Sequence, residues 1–268
     1  MATIRIEKEN GIAIVWLDQP GEKINMISIE LLDEFAAVVE DLKDDQQVKA
    51  VVLISKKPDN FIAGADIDRF LGMNSPGEAA ALSRKGHAIL NQLADSSKPI
   101  VAAIHGAALG GGLEVALACT ARIATDDPRT IMGQPEVKLG LLPGGGGTQR
   151  LPRLIGLQRA LDVMLTGRNI YPQQALKMGL VDYLIHPYGL LEAAKKAAQD
   201  LCEHRPKKKS GQPLFQKLFE GTSITRKIIY KKAREMVRRQ TMGNYPAPFK
   251  ILDCVETGME ESVQAGQA

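Results

Sequence analysis

The chain has 268 residues, of which 44% are hydrophobic and 24% charged, with a formal net charge of +3. That length fits one large domain or a domain with an appendage, and that balance excludes intrinsic disorder. No apolar run approaches the roughly 18 residues of a membrane span, and the N-terminus, Met-Ala-Thr-Ile-Arg-Ile-Glu, has no apolar signal core.

In chain order, Thr3–Lys8 and Ile12–Leu17 alternate apolar and polar residues around Asn10–Gly11, which predicts a hairpin. Ser28 is a candidate N-cap for a helix carrying Leu31, Leu32, Phe35, Val38, Val39 and Leu42 at helical spacing. Val48–Ser55 and Pro99–His105 read as buried strands, and Pro76–Leu93 reads as a helix between them. Phe61 to Asp66 is a short extended piece entering a turn. Gly110–Gly112 open a short apolar helix, and Ala121–Thr125 and Thr130–Met132 are short strands. Beyond Thr148 the pattern is mostly helical to about Gln240, with a short strand at Val181–Ile185. Strands alternating with helices, then helices alone, predict an α/β fold with parallel pairing and a helical C-terminal region. Arg205 to Pro213 brackets a charge run with Pro and Gly and marks the boundary between residues 1–204 and 205–268.

Cys119, Cys202 and Cys254 are odd in number and far apart, which reads as reduced thiols in a cytoplasmic protein. No Cys or His pair has metal-ligand spacing, so no metal site is expected.

Glycine-rich stretches raise the question of nucleotide binding. No Gly-x-x-x-x-Gly-Lys-Ser/Thr is present, and Gly144–Gly147 neither follows a convincing strand nor precedes the acidic residue a dinucleotide site needs. Gly110–Gly112 differ: they follow a strand and open a helix, where free N–H groups and the positive dipole end favour an anionic oxygen. Close helix–strand packing explains the same glycines equally well. Ala63-Gly64-Ala65-Asp66 reads as a second small-residue turn, either a further donor to that oxygen or a tight turn capped by Asp66. Glu114 is the only charged residue between His105 and Arg122. A carboxylate in so apolar a helix is costly to bury unless neutral or paired. It reads either as a helix-dipole partner or, with Glu136 22 positions on, as half of an acid/base pair.

Ala63-Gly64-Ala65-Asp66-Ile67, His105-Gly106 with Gly110-Gly111-Gly112-Leu113-Glu114, and Gln134-Pro135-Glu136 with Pro143 to Arg150 resemble the enoyl-CoA hydratase (crotonase) family. The resemblance covers at least residues 1–200. Asp59–Ile67, Leu141–Pro143 and Gly147–Gly156 narrow it to the hydratase/isomerase module that opens multifunctional fatty-acid oxidation α subunits. It implies a crotonase-type β-β-α spiral that often forms trimers or hexamers, or that joins a thiolase subunit in a larger complex. It implies hydration of 2-enoyl-CoA thioesters, with Δ3-Δ2-enoyl isomerisation as a second activity. Glu114 and Glu136 would be the acid/base pair, and the Ala65 and Gly111 N–H groups would hold the thioester oxygen. The Gly144 N–H would place the water. Ala63, Ala65, Asp66 and Ile67 would contact coenzyme A, which enters as part of the substrate, so no separate cofactor is expected. Isomerase-only relatives usually lack one of the two carboxylates. A non-catalytic CoA-binding or assembly module is the competing reading. The dehydrogenase module of those α subunits, with its Gly-x-Gly-x-x-Gly fingerprint, is missing. Tyr245–Pro248 with Thr257–Gly258 resembles the linker toward it, so an excised N-terminal module is expected.

Residues 205–239 hold twelve Lys or Arg and two acids, whereas residues 1–204 hold 21 basic and 25 acidic residues. Ile224, Ile228, Ile229, Ala233, Met236 and Val237 read as one apolar helical stripe, with the charges largely off it. A solvated face, or contact with CoA phosphates or an acidic partner, fits this pattern. Nucleic acid does not, because no recognition motif or aromatic stacking pattern accompanies the charge.

Overall fold

The computed structural model describes residues 3–65, 75–203 and 220–268. The first hairpin pairs β1 (Ile4–Glu9) with β2 (Ile12–Leu17). Asn10 and Gly11 both take positive φ, as a two-residue hairpin turn requires. Ser28 caps α1 (Ile29–Asp44), its side chain accepting from Leu31 N at 3.1 Å.

β2 continues by parallel pairing into β3 (Ala50–Ser55), β5 (Ile100–Ile104), β7 (Ala121–Thr125) and β9 (Tyr183–Ile185). Every residue of β3, β5 and β7 is buried, because both faces of this six-stranded sheet are covered. One face meets α7 (Leu190–Glu203) through Leu190, Ala194, Ala198 and Leu201. The other packs Val51, Leu53, Ala102 and Ile104 into the main core with α1, α2 (Pro76–Ala94) and α3 (Gly111–Ala118).

Three further strands, β4 (Asn60–Ala63), β6 (Ala107–Leu109) and β8 (Ile131–Gly133), form a second parallel sheet in that order. β6 is not predicted from the sequence: three residues between Gly106 and Gly110 are too few to display a period of two. A 3-10 turn (Pro135–Leu139) follows β8. Then come α4 (Gly147–Ile155), α5 (Leu157–Thr166) and α6 (Pro172–Met178).

The C-terminal region comprises α8 (Ser223–Thr241), α9 (Pro246–Glu260) and α10 (Val263–Gln267). Tyr245–Pro248 opens α9, whose Ala247, Pro248, Ile251, Leu252 and Val255 are buried. Proline suits the first helical turn, where its missing N–H is not needed. The apolar stripe expected on α8 also splits. Ile229, Tyr230 and Val237 are buried, whereas Ile224 and Ile228 are 74% and 48% exposed. The cause lies on α9, which ties the opposite flank through Arg226–Glu260 (2.5 Å) and Arg234 with Asp253 and Glu256 (2.8 and 2.7 Å). Lys207–Lys209 lie outside the described residues. No described helix is long and apolar enough to cross a membrane.

Gln149 joins this region to α4. It is fully buried, and its Nε2 donates to Cys254 O (2.9 Å) and Gly266 O (3.1 Å). A Cβ on Gly258 would overlap the Gln149 amide oxygen. Gly258→Ala is expected to lower stability by about 1–3 kcal/mol, the usual cost of overpacking. Gln149→Ala in the same chain should recover part of that loss in a denaturant melt.

Candidate active site

Ala63, Leu109 and Gly133 are register partners, so the three strands of the small sheet end in one row. The chain then leaves the sheet at all three ends. Ligand sites in parallel α/β sheets gather at such carboxyl ends.

After β4, Gly64 turns with φ +89°, and Ile27 forms a parallel bridge with Ala65. Ile27 N donates to Gly64 O at 2.8 Å, so the Ala65 N–H faces away from Ile27, toward β6. β6 has already left the sheet there: Gly110, at φ +53° and ψ −124°, turns the chain into α3. The Ala65 N–H and the Gly111 N–H at the first helical position have no acceptor among the described residues. Gly112 packs so closely that a Cβ would overlap Ile62 O, which is the close helix–strand packing considered for the glycine run.

Glu114 sits in the first turn of α3 and is 3% exposed. Its Oε1 accepts from Gly145 N (2.8 Å) and Gly147 N (2.6 Å), and Gly147 begins α4. The carboxylate thus faces the positive ends of two helices. Burial, the largest influence, holds its carboxyl above the usual carboxylate range, while the Gly147 and Gly145 N–H groups and the Arg150 charge act against that rise. Arg150 braces this turn, donating to Gly145 O (2.9 Å) and Asn91 Oδ1 (2.6 Å).

Glu136 lies in the 3-10 turn after β8, with Oε1 3.1 Å from where a Cβ on Gly110 would stand. Its Oε2 is buried without a hydrogen-bond partner among the described residues. Burial and the neighbouring Glu114 charge push its carboxyl up to about 8.

The structure therefore brings together Glu114, Glu136, Ala65 and Gly111. Gly144 adjoins them: its carbonyl accepts from Ser83 Oγ (2.8 Å) and its N–H has no acceptor among the described residues. The Ala63 N–H is committed to Asn25 O at 2.9 Å. Asp66 and Ile67 lie outside the described residues. Sequence reasoning missed Gly145 and Gly147 as the donors to Glu114, and Arg150 as their brace. The signal was present in Gly147-Thr148 opening a helix, since the first N–H groups of any helix need an acceptor.

Paired carboxyls beside backbone donors with no acceptor among the described residues gather at three parallel strand ends of a crotonase-type fold. The enoyl-CoA hydratase/isomerase family model matches residues 7–243. The fatty acid oxidation complex subunit alpha of Shewanella sp. (strain MR-4) is 49% identical over 259 residues, covering 97% of this chain and 36% of that protein. The corresponding Shewanella baltica protein matches to the same extent. Among solved structures, the enoyl-CoA hydratase of Geobacillus kaustophilus is 38% identical with a TM-score of 0.72, covering 75% of each chain. That of Bacillus anthracis is 32% identical with a TM-score of 0.70, covering 76% of this chain and 78% of its own. The chain belongs to the enoyl-CoA hydratase/isomerase family, and it spans about 36% of the length of the curated relatives named here.

Proposed function

We propose that the chain is an enoyl-CoA hydratase that adds water across the 2,3 double bond of 2-enoyl-CoA in fatty-acid β-oxidation. The observation that carries this reading is the division of labour between the two carboxyls. The two N–H bonds that Glu114 accepts favour its ionised form, so it would be the ionised partner; Glu136, whose Oε2 is buried without a hydrogen-bond partner among the described residues and which faces that charge, would be the neutral one.

Water attacks carbon 3 while Glu114 takes its proton. The π electrons move onto the thioester oxygen, where the Ala65 and Gly111 N–H groups stabilise the charge. The electrons return as carbon 2 takes the proton of Glu136, giving the 3-hydroxyacyl thioester. The pair is left with its proton on Glu114, and exchange with solvent restores the starting state. The Gly144 N–H holds the water, and backbone groups of Ala63, Ala65, Asp66 and Ile67 hold the coenzyme A portion. Every step uses the chain's own groups, so the reaction requires no separate cofactor. The same pair can carry a proton between carbons 4 and 2 of a 3-enoyl thioester, which is isomerisation.

Residues 1–204 would carry the chemistry and 205–268 support it. The chain would work in the cytoplasm, as a homotrimer or hexamer or with a thiolase subunit. A crotonyl-CoA hydration assay tests the central claim: absorbance of the conjugated thioester should fall with time, and its persistence would favour a non-catalytic CoA-binding module. The acid must be protonated, so kcat/KM should decline as pH rises through about 8. A pH profile flat across that region would remove Glu136 as the acid.

A further inference from the structure

We propose that Asn25 is a positioning residue for the oxyanion site, a role that rests on the reading of Ala65 and Gly111 given above. Asn25 is fully buried. Its Nδ2 donates to Ser55 Oγ (2.9 Å), Phe61 O (3.2 Å) and Leu17 O (3.3 Å), and its Oδ1 accepts from Gln19 N (3.0 Å). Its own N–H donates to Asn60 Oδ1 at 2.6 Å, and its carbonyl accepts from Ala63 N at 2.9 Å. One side chain therefore joins the ends of β2 and β3 to β4, which lies in the other sheet.

The consequence appears two residues on. Gly64 leaves regular strand geometry, so the direction of the Ala65 N–H is set by how residues 25–27 lie along it. Ile27 makes that contact through its bond to Gly64 O and its bridge to Ala65. The Ile27 side chain also stands 3.1 Å from where a Cβ on Gly111 would be. The segment anchored by Asn25 thus touches both residues whose N–H groups form the oxyanion site. The task needs an amide of this length: it supplies donors and an acceptor from one planar group, where Asp has no donor and Leu has neither.

The test measures turnover and carbonyl polarisation separately. Asn25→Ala should lower kcat on the order of 10- to 100-fold, as small misplacements of reacting groups do, with KM within about threefold. Polarisation is read as the red shift in absorption of a bound aryl-conjugated enoyl-CoA, in a Glu114→Gln background that does not turn over. That shift should shrink on adding Asn25→Ala. Ser55→Ala removes one acceptor of the Asn25 amide and should move both readouts the same way by less, so it decides the matter if Asn25→Ala does not fold. Wild-type kcat and an undiminished red shift in a folded variant would overturn the role of Asn25. No red shift even with Asn25 intact would instead overturn the oxyanion reading itself.

Discussion

Glu114→Gln and Glu136→Gln should each abolish measurable hydration of crotonyl-CoA while leaving thioester binding in place. General acid–base groups are typically worth about 100- to 10,000-fold each, and neither amide can replace the lost function. In Glu114→Gln the amide keeps a carbonyl oxygen for the Gly145 and Gly147 N–H groups, so the turn should stay folded, but it cannot take a proton from water. In Glu136→Gln the amide fits the space of a neutral carboxyl, yet it is far too weak an acid to protonate carbon 2. Loss of conjugated-thioester absorbance reports turnover, and calorimetric binding of a saturated acyl-CoA reports the ground state. Full turnover in either variant would sink the acid/base assignment. Loss of binding together with turnover would point to collapse of the turn.

The second large effect concerns a backbone atom. Gly111→Pro removes one oxyanion donor at the first helical position, where proline is otherwise tolerated. Loss of one such donor typically costs about 100- to 1000-fold in kcat. Gly111→Ala is the matched control: it keeps the N–H and adds a Cβ 3.1 Å from the flexible Ile27 side chain. Proline should be crippled and alanine only mildly affected, with similar thermal melts. Equal losses in the two would mean that bulk near Ile27, not the missing hydrogen, limits the reaction.

Much of this was legible in the residues because the signals are local. Asn10–Gly11 demands its hairpin turn, Ser28 its cap, and an acid among Leu113, Val115 and Ala116 demands a reason. What stayed hidden was long-range. β6 is too short to show a period, and Glu114 meets Gly145 and Gly147 across more than thirty positions. That Pro246 and Pro248 sit in the first turn of a packed helix was likewise not visible, because the pattern beyond Gln240 was not read as helix. The α8 stripe failed because periodicity finds an amphipathic helix but cannot say which neighbour covers which flank.

The aligned ends of the small sheet also bear on the handedness of the product. Crossing the sheet from β4 to β8, the segments that follow the three strands carry Ala65, then Gly111, then Glu136. A flat enoyl thioester laid along that row, with its oxygen at the first two, would turn one particular face of carbon 2 toward the third. In heavy water, which of the two hydrogens on carbon 2 is the incoming deuterium would then be decided by the order in which three strands lie side by side, and exchanging one acyl-pocket side chain for another would leave it unchanged.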